Sequence, residues 1–235
     1  MAEGHAPKVI YLARRNPALS REEFPARWRQ HSLLAGSMPS IRPGFAQVAQ
    51  CLNLYDRAVV ARASLDYDGV NLLTMTSPDR IEAVWQSDEV HNLVLPDELA
   101  TFDRYVRQFS LTTQEHVVAD GPMQPYCLIV FLKRDRNVEL DAFATMLLDA
   151  YRAMADGGRR AVVNLVTDRQ PGYNFDAVTE LWFASTDEAI KVTQSSVYAE
   201  MYLGRRSQFC DEWRTLTMMT RINYARPAIS EGMQG

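Results

Sequence analysis

The chain repeats itself, and that repetition limits it to architectures that can be made twice and joined. Lys8 to Ala35, KVIYLARRNPALSREEFPARWRQHSLLA, parallels Tyr126 to Ala155, YCLIVFLKRDRNVELDAFATMLLDAYRAMA. Leu12 aligns with Leu132 and Arg14 with Arg134; after a one-residue difference in the loop, Phe24 aligns with Phe143. Further on, DGVNLLTMTSPDRIEAVWQS from Asp68 runs ungapped against DAVTELWFASTDEAIKVTQS from Asp176, and the same offset pairs Asp103 with Asp211 and Thr112 with Thr220. Two units follow, 1–120 and 121–235, divided at the turn-rich DGPMQP, Asp120 to Pro125.

Each unit reads as β-α-β-β-α-β. Val9 to Arg14 and Leu128 to Lys133 are short β-rich runs, followed by second strands at Ala46 to Leu54 and Arg160 to Thr167. Third strands fall at Val70 to Thr76 and Val178 to Ala184, and closing strands at Thr112 to Val118 and Thr215 to Tyr224. Ser20 with Glu23 three residues on has the spacing of a capping box opening the first helix. Ser77-Pro78 and Thr186-Asp187 open the second helices. The longer stretch VHNLVLPDELATFDRY reads as a lid or short extra helix. This is an α+β chain of two tandem ferredoxin-like units. Each sheet has helices on one face and needs cover on the other, which sheet packed on sheet within one chain would supply.

Composition narrows the class. Of 235 residues 47% are apolar, enough for a large core, and the formal charge of −4 with no Lys/Arg cluster argues against a nucleic-acid partner. No apolar run is long enough to span a membrane, and MAEGHAPK lacks a signal-peptide core. Cys51, Cys127 and Cys210 match neither a zinc spacing nor a disulfide framework, so a cytoplasmic protein is expected. GxGxxG, P-loop, GxSxG, HExxH and CxxC are all absent, so no cofactor and no metal is expected.

The first helix carries the informative residue. Phe24, Trp28, His31 and Ala35 fall on one face, and the corresponding face of the second unit is Phe143, Leu147, Ala150 and Met154. An alanine in place of His31 shows that the fold does not itself need an imidazole there. A buried polar group without a partner costs about 1–3 kcal/mol, so a histidine in one copy alone points to a pocket in that copy. His31 is accordingly the candidate general acid or base, against the alternative of an imidazole bonded to a backbone carbonyl under a loop. His116, in TTQEHVV, is the second catalytic candidate, and Tyr224 takes its place in the other unit. Trp28, Tyr67, Trp85, His91, Tyr55 and Tyr11 are the candidate substrate-binding residues of an aromatic pocket. Glu180, inside TELWF, reads as a buried carboxylate paired with Arg134 or Arg160.

VIYLARRNPALSREEFPARWRQH, with its strand, basic pair, S-x-E-E-F and W-x-x-H, resembles the opening of an EthD domain. TELWFASTDEA and TTQEHVV resemble that family's third strand with second helix and its closing strand. The resemblance implies a dimeric α+β barrel, here built within one chain. It also implies a cofactor-independent lyase acting on a phenolic or polyketide-derived aromatic compound, by decarboxylation, retro-aldol cleavage or dehydration. The alternatives it leaves are a non-catalytic binding or accessory protein of an aromatic or ether degradation pathway, and a haem- or metal-dependent barrel enzyme. The expected partner is a small aromatic molecule, with further pairing into a homodimer left open.

Overall fold

The computed structural model describes residues 7–57, 59, 60, 62–152, 154 and 159–227. The first half runs β1 (Pro7–Ala13), α1 (Phe24–Ser37), β2 (Phe45–Asn53), β3 (Gly69–Met75), α2 (Asp79–Trp85), α3 (Leu95–Thr101) and β4 (Ser110–Ala119). The second runs β5 (Tyr126–Leu132), α4 (Leu140–Arg152), β6 (Ala161–Arg169), β7 (Ala177–Phe183), α5 (Thr186–Thr193) and β8 (Leu216–Arg226). π-helical turns at Val90–Val94 and Tyr198–Gly204 lie in corresponding places. The stretch expected to form a lid is therefore such a turn running directly into α3.

All strand pairs are antiparallel, and the eight strands close into one barrel in the order β1-β3-β2-β8-β5-β7-β6-β4. Each half contributes four adjacent strands, β4-β1-β3-β2 and β8-β5-β7-β6. The expectation of one sheet laid face to face on another is corrected. The edges β2 and β8, and β4 and β6, hydrogen-bond to each other. This satisfies backbone groups that open edges would leave unpaired.

Closure explains strands that are apolar on both alternations. In β7, Val178 and Trp182 point into the barrel with Ile10, Leu12, Ile129 and Met218. Leu181 and Phe183 face the helices of the second half. In β1, Tyr11 and Val9 face the helices of the first half, beside Phe24 and Trp28. The three cysteines are free and buried.

The barrel interior also holds charge. Lys8 Nζ lies 2.7 Å from Glu180 Oε1 and also pairs with Glu115. Asn164 Nδ2 donates to the same Glu180 oxygen at 2.8 Å and Trp182 Nε1 to the other at 3.2 Å. Glu180 is thus paired with Lys8, not with Arg134 or Arg160. β1 and β7 both aim alternate residues inward, whereas Arg134 lies beyond the end of β5, where its Nη1 donates to Val138 O.

The expected box forms in the turn that leads into α1: Ser20 N donates to Glu23 Oε2 at 2.8 Å and Glu23 N to Ser20 Oγ at 3.2 Å, with Glu23 the residue before the helix. Its buried side seats Trp28 over Gly69, where a Cβ would stand 2.5 Å from Cys51 O and 2.7 Å from the indole. Its other flank is tied to the second half. Asn223 on β8 donates to Pro25 O at 2.9 Å and accepts Arg29 through its own carbonyl at 2.7 Å.

Hydrogen bonds also fix which residues of the halves correspond. Arg15 N donates to Asp68 and Arg134 N to Asp176, and Arg15 bridges Phe102 as Arg134 bridges Cys210. Arg134 therefore answers to Arg15, not to Arg14, and Leu132 to Ala13, not to Leu12. The one-residue loop difference expected from the sequence is not present. Matching identical letters in RR and KR shifted the first strand by one.

Candidate functional site

A cleft opens in the first half between the outer face of β1–β3 and the helices above it, with a cavity volume of about 80 Å³. Its walls are apolar, with Ile41, Leu73, Val84, Val90 and Val94 among them. Its polar groups are few: Tyr11, Asn71 and Ser32, His31, Glu98, and Tyr224 and Arg226 from the end of β8. A largely apolar concavity with a small convergent polar set is the usual form of a small-molecule site.

His31 is 5% exposed, on the buried face of α1, its ring edge-on to Phe102 at 5.3 Å between centroids. Its Nδ1 lies 2.7 Å from Asp97 Oδ2, and Asp97 Oδ1 is held by the Arg27 guanidinium. Burial would raise the Asp97 pKa. The hydrogen bonds from His31 and Arg27 outweigh it and hold that carboxyl below its ordinary range. An ionised acceptor on Nδ1 fixes the tautomer with the proton there, leaving Nε2 as the basic nitrogen.

Glu98, the next residue on α3, is 1% exposed and accepts Val106 N at 2.9 Å through Oε2. Burial, opposed by that hydrogen bond and reinforced by the charge of Asp97, pushes its pKa up to about 7. Across the floor, Asn71 Nδ2 donates to Tyr11 Oη at 2.7 Å, and burial raises the Tyr11 phenol so that it stays protonated.

The sequence candidates divide. His31, Tyr11 and Trp85 line the cleft. Trp28 is fully buried, stacked on Phe24 at 5.2 Å, so it packs the core beneath rather than walling the pocket. Tyr55 has a φ of 56°, donates its hydroxyl to Asp68 and lies under Arg21 at 4.1 Å. Tyr67 stacks on Arg14 at the barrel end. His91 is exposed on its turn, its Nδ1 3.0 Å from Ser87 O. His116 sits opposite Val163 where β4 meets β6, on the second half's side of the seam. It does not join His31, because β4 crosses between the halves along its length. Asp97, Glu98 and Asn71 were not anticipated. Pro96 with two following acids does mark a helix start in LPDEL, but not the direction in which the helix faces.

The second half supplies the comparison. Its residues at the places of His31, Asp97 and Glu98 are Ala150, Arg205 and Arg206, and Tyr11 and Asn71 become Val130 and Thr179. Tyr151, Tyr198 and Tyr202 replace Ser32, Val90 and Val94, and they pack together, with centroids 5.6 and 5.3 Å apart. Val59, Val60 and Ala63 from the β2–β3 connection join the same cluster. The rings occupy the places of Ser32, Val90 and Val94, and the concavity left beside them is lined by Val59, Val60, Thr193, Tyr198 and Arg206, with no imidazole or carboxylate among its lining residues.

Among the described residues no group of three His, Cys, Asp or Glu could hold a metal ion, and no helix is long and apolar enough to cross a membrane.

Comparison with known proteins agrees with this architecture. A family model described as the EthD domain matches residues 16–104. No curated protein sequence matches the chain. Among solved structures, an anthrone oxidase-like protein superposes with a TM-score of 0.66 at 13% identity, over 96% of this chain and 94% of that one. A Fusobacterium nucleatum protein provisionally described as a monooxygenase gives 0.61 at 8% identity, over 97% of each chain. A chlorite dismutase mutant from Candidatus Nitrospira defluvii gives 0.52 at 10% identity, over 94% and 92%. At these identities the likeness is one of fold, an α+β chain with an eight-stranded antiparallel barrel.

Proposed function

We propose that this chain, an EthD-domain protein by its residues 16–104, is a tandem pair of ferredoxin-like units, 1–120 and 121–235, of which only the first is an enzyme. It is a cofactor-independent lyase for a phenolic or polyketide-derived aromatic compound. The observation carrying this reading is the His31–Asp97 pair at the wall of an apolar cleft, where the other half has Ala150 and Arg205 in their places.

Each group has a role that follows from its surroundings. Asp97 accepts from Nδ1 and so orients the imidazole, as an anionic partner does in any such dyad. His31 Nε2 takes a proton from the substrate as a C–C or C–O bond breaks. Glu98, whose pKa near 7 keeps a substantial share protonated at neutral pH, returns one to the product. Tyr11 and Asn71 bind a phenolic oxygen. A phenolic substrate delocalises its own developing negative charge, so these proton transfers and the exclusion of water suffice. The cleft does not suit haem: Arg226 is the one permanent cation among its lining residues, whereas two propionates call for paired cations.

Incubating the purified protein with a panel of phenolic acids and aryl ketones, without added cofactor, tests the reading by mass spectrometry of products. Turnover supports a lyase. Tight binding with no turnover across the panel assigns the protein instead to the accessory, non-catalytic class.

Glu98 makes a separate prediction about stability. Its pKa rises from 4.5 to about 7 on folding, so between those values the native state holds more protons than the unfolded chain. Stability therefore falls as pH rises through that window, by up to ~3 kcal/mol. Glu98→Gln is expected to remove this fall, gaining on the parent protein at pH 8 but not at pH 4. Chemical denaturation across that range measures it, and parallel pH curves for the two proteins would refute the assignment.

A further inference from the structure

On the opposite face of β1 from the cleft, Leu12 points into a second concavity of about 220 Å³ at the barrel mouth. Arg14, Tyr67, Arg104 and Gln108 of the first half line it, and the turn Pro171–Tyr173 of the second half covers it. Gly172 in that turn has a φ of +87°, and nothing stands within 4 Å of where its Cβ would be. From these groups we infer that the barrel mouth is a binding site for a small carboxylate carried on an apolar body, separate from the His31 cleft.

The geometry of Arg14 carries the argument. Its Nε donates to Asp66 O at 2.8 Å, and its guanidinium lies over the Tyr67 ring at 4.4 Å. One edge and one face are thus engaged, and the Nη edge is left to meet a ligand. A guanidinium held flat in this way presents two parallel donors to a carboxylate without further ordering. Arg104 brings a second cation, with Asp103 accepting from its Nε at 3.3 Å and its Nη2 at 3.0 Å. Of the three charged side chains facing the site, Arg104 and Asp103 largely cancel, and Arg14 sets the sign. Burial, then the nearby Tyr67 hydroxyl, raise the Tyr173 pKa, with Arg104 and Arg14 opposing, so this phenol remains a donor. Leu12 and Phe109 supply the apolar floor.

The second half again shows that the fold does not demand these residues. Lys133, Phe175, Glu212 and Leu65 stand where Arg14, Tyr67, Arg104 and Tyr173 would be. Lys133 is committed to Asp176 at 2.9 Å, and a glutamate replaces the second arginine. Both phenols and the flat cation belong to one mouth only.

Calorimetric titration of the full chain with sodium benzoate tests the site, with benzamide as its uncharged analogue and inorganic phosphate as a non-planar anion. Benzoate is expected to bind at least tenfold more tightly than either. Arg14→Met and Arg104→Gln should each weaken benzoate roughly tenfold, while Val94→Tyr, which fills the other cleft, leaves it unchanged. Arg104 is solvent-exposed, so its variant stays informative if Arg14→Met does not fold. The inference is overturned if neither arginine variant alters benzoate affinity, or if phosphate binds as well as benzoate. It is equally overturned if Val94→Tyr abolishes binding, which would place the ligand in the cleft. The cleft's own reading survives any of these results, because it is tested by turnover and not by benzoate.

Discussion

Under the proposed lyase reading, replacing His31 with alanine is expected to cut turnover of a phenolic compound by about 10²–10⁴, the usual share of a positioned general acid–base group. The fold should survive. The second half is built with Ala150 at the equivalent place and packs there without an imidazole, and Asp97 keeps its Arg27 partner when His31 is gone. Urea denaturation should therefore show a modest loss, and substrate affinity measured through Trp85 fluorescence should change less than kcat. Asp97→Asn, which preserves shape while removing the negative partner of Nδ1, should produce an intermediate loss. If the alanine variant turns over normally, His31 leaves the mechanism, and Glu98 becomes the group to examine. A variant that loses affinity and rate together would show that the imidazole binds substrate without transferring its proton.

The largest stability effect is expected at Lys8. Burial by itself would lower the Lys8 pKa, but Glu180 and then Glu115 outweigh it, and the ammonium is held charged above its ordinary range. Lys8→Met removes the cation and leaves two carboxylates inside the barrel, one of them 1% exposed. Stranding a buried charge of this kind costs about 3–5 kcal/mol, roughly 10 °C or more in Tm for a chain of this size. The double variant Lys8→Met, Glu180→Met should recover much of the loss, since an apolar pair can replace a buried ion pair with little penalty. Differential scanning calorimetry of both variants decides the matter. A single variant as stable as the parent would mean that Glu180 takes up a proton freely or that water reaches the barrel interior. Because the folded Lys8 pKa is raised, its contribution is present through neutral pH and lost only as alkaline pH passes the folded value.

The element order was legible in the sequence because it rests on local signals. Strand alternation, the Ser20–Glu23 box and Pro78 each act within a few residues; the observed strand boundaries fall within one or two positions of those expected, while α1 starts three residues later than a Ser20 cap implies. His31 was legible for another reason: one copy lacked it. The partners were not. Asp97 comes to His31 only because a π-helical turn at Val90–Val94 sets the rotation of α3, and sequence spacing carries no sign of that rotation. Lys8 finds Glu180 across 172 positions of chain, a contact that only barrel closure creates. The same closure carried His116 past the seam and away from the residues it was grouped with.

The β2–β3 connection, which sends Val59, Val60 and Ala63 into the hollow of the opposite half, has a consequence for how such a molecule can change over time. In a pair of identical subunits any plug or filler appears at both hollows, so closing one closes both. Covalent continuity lifts that symmetry. One side can become ballast while its twin stays free to follow a substrate.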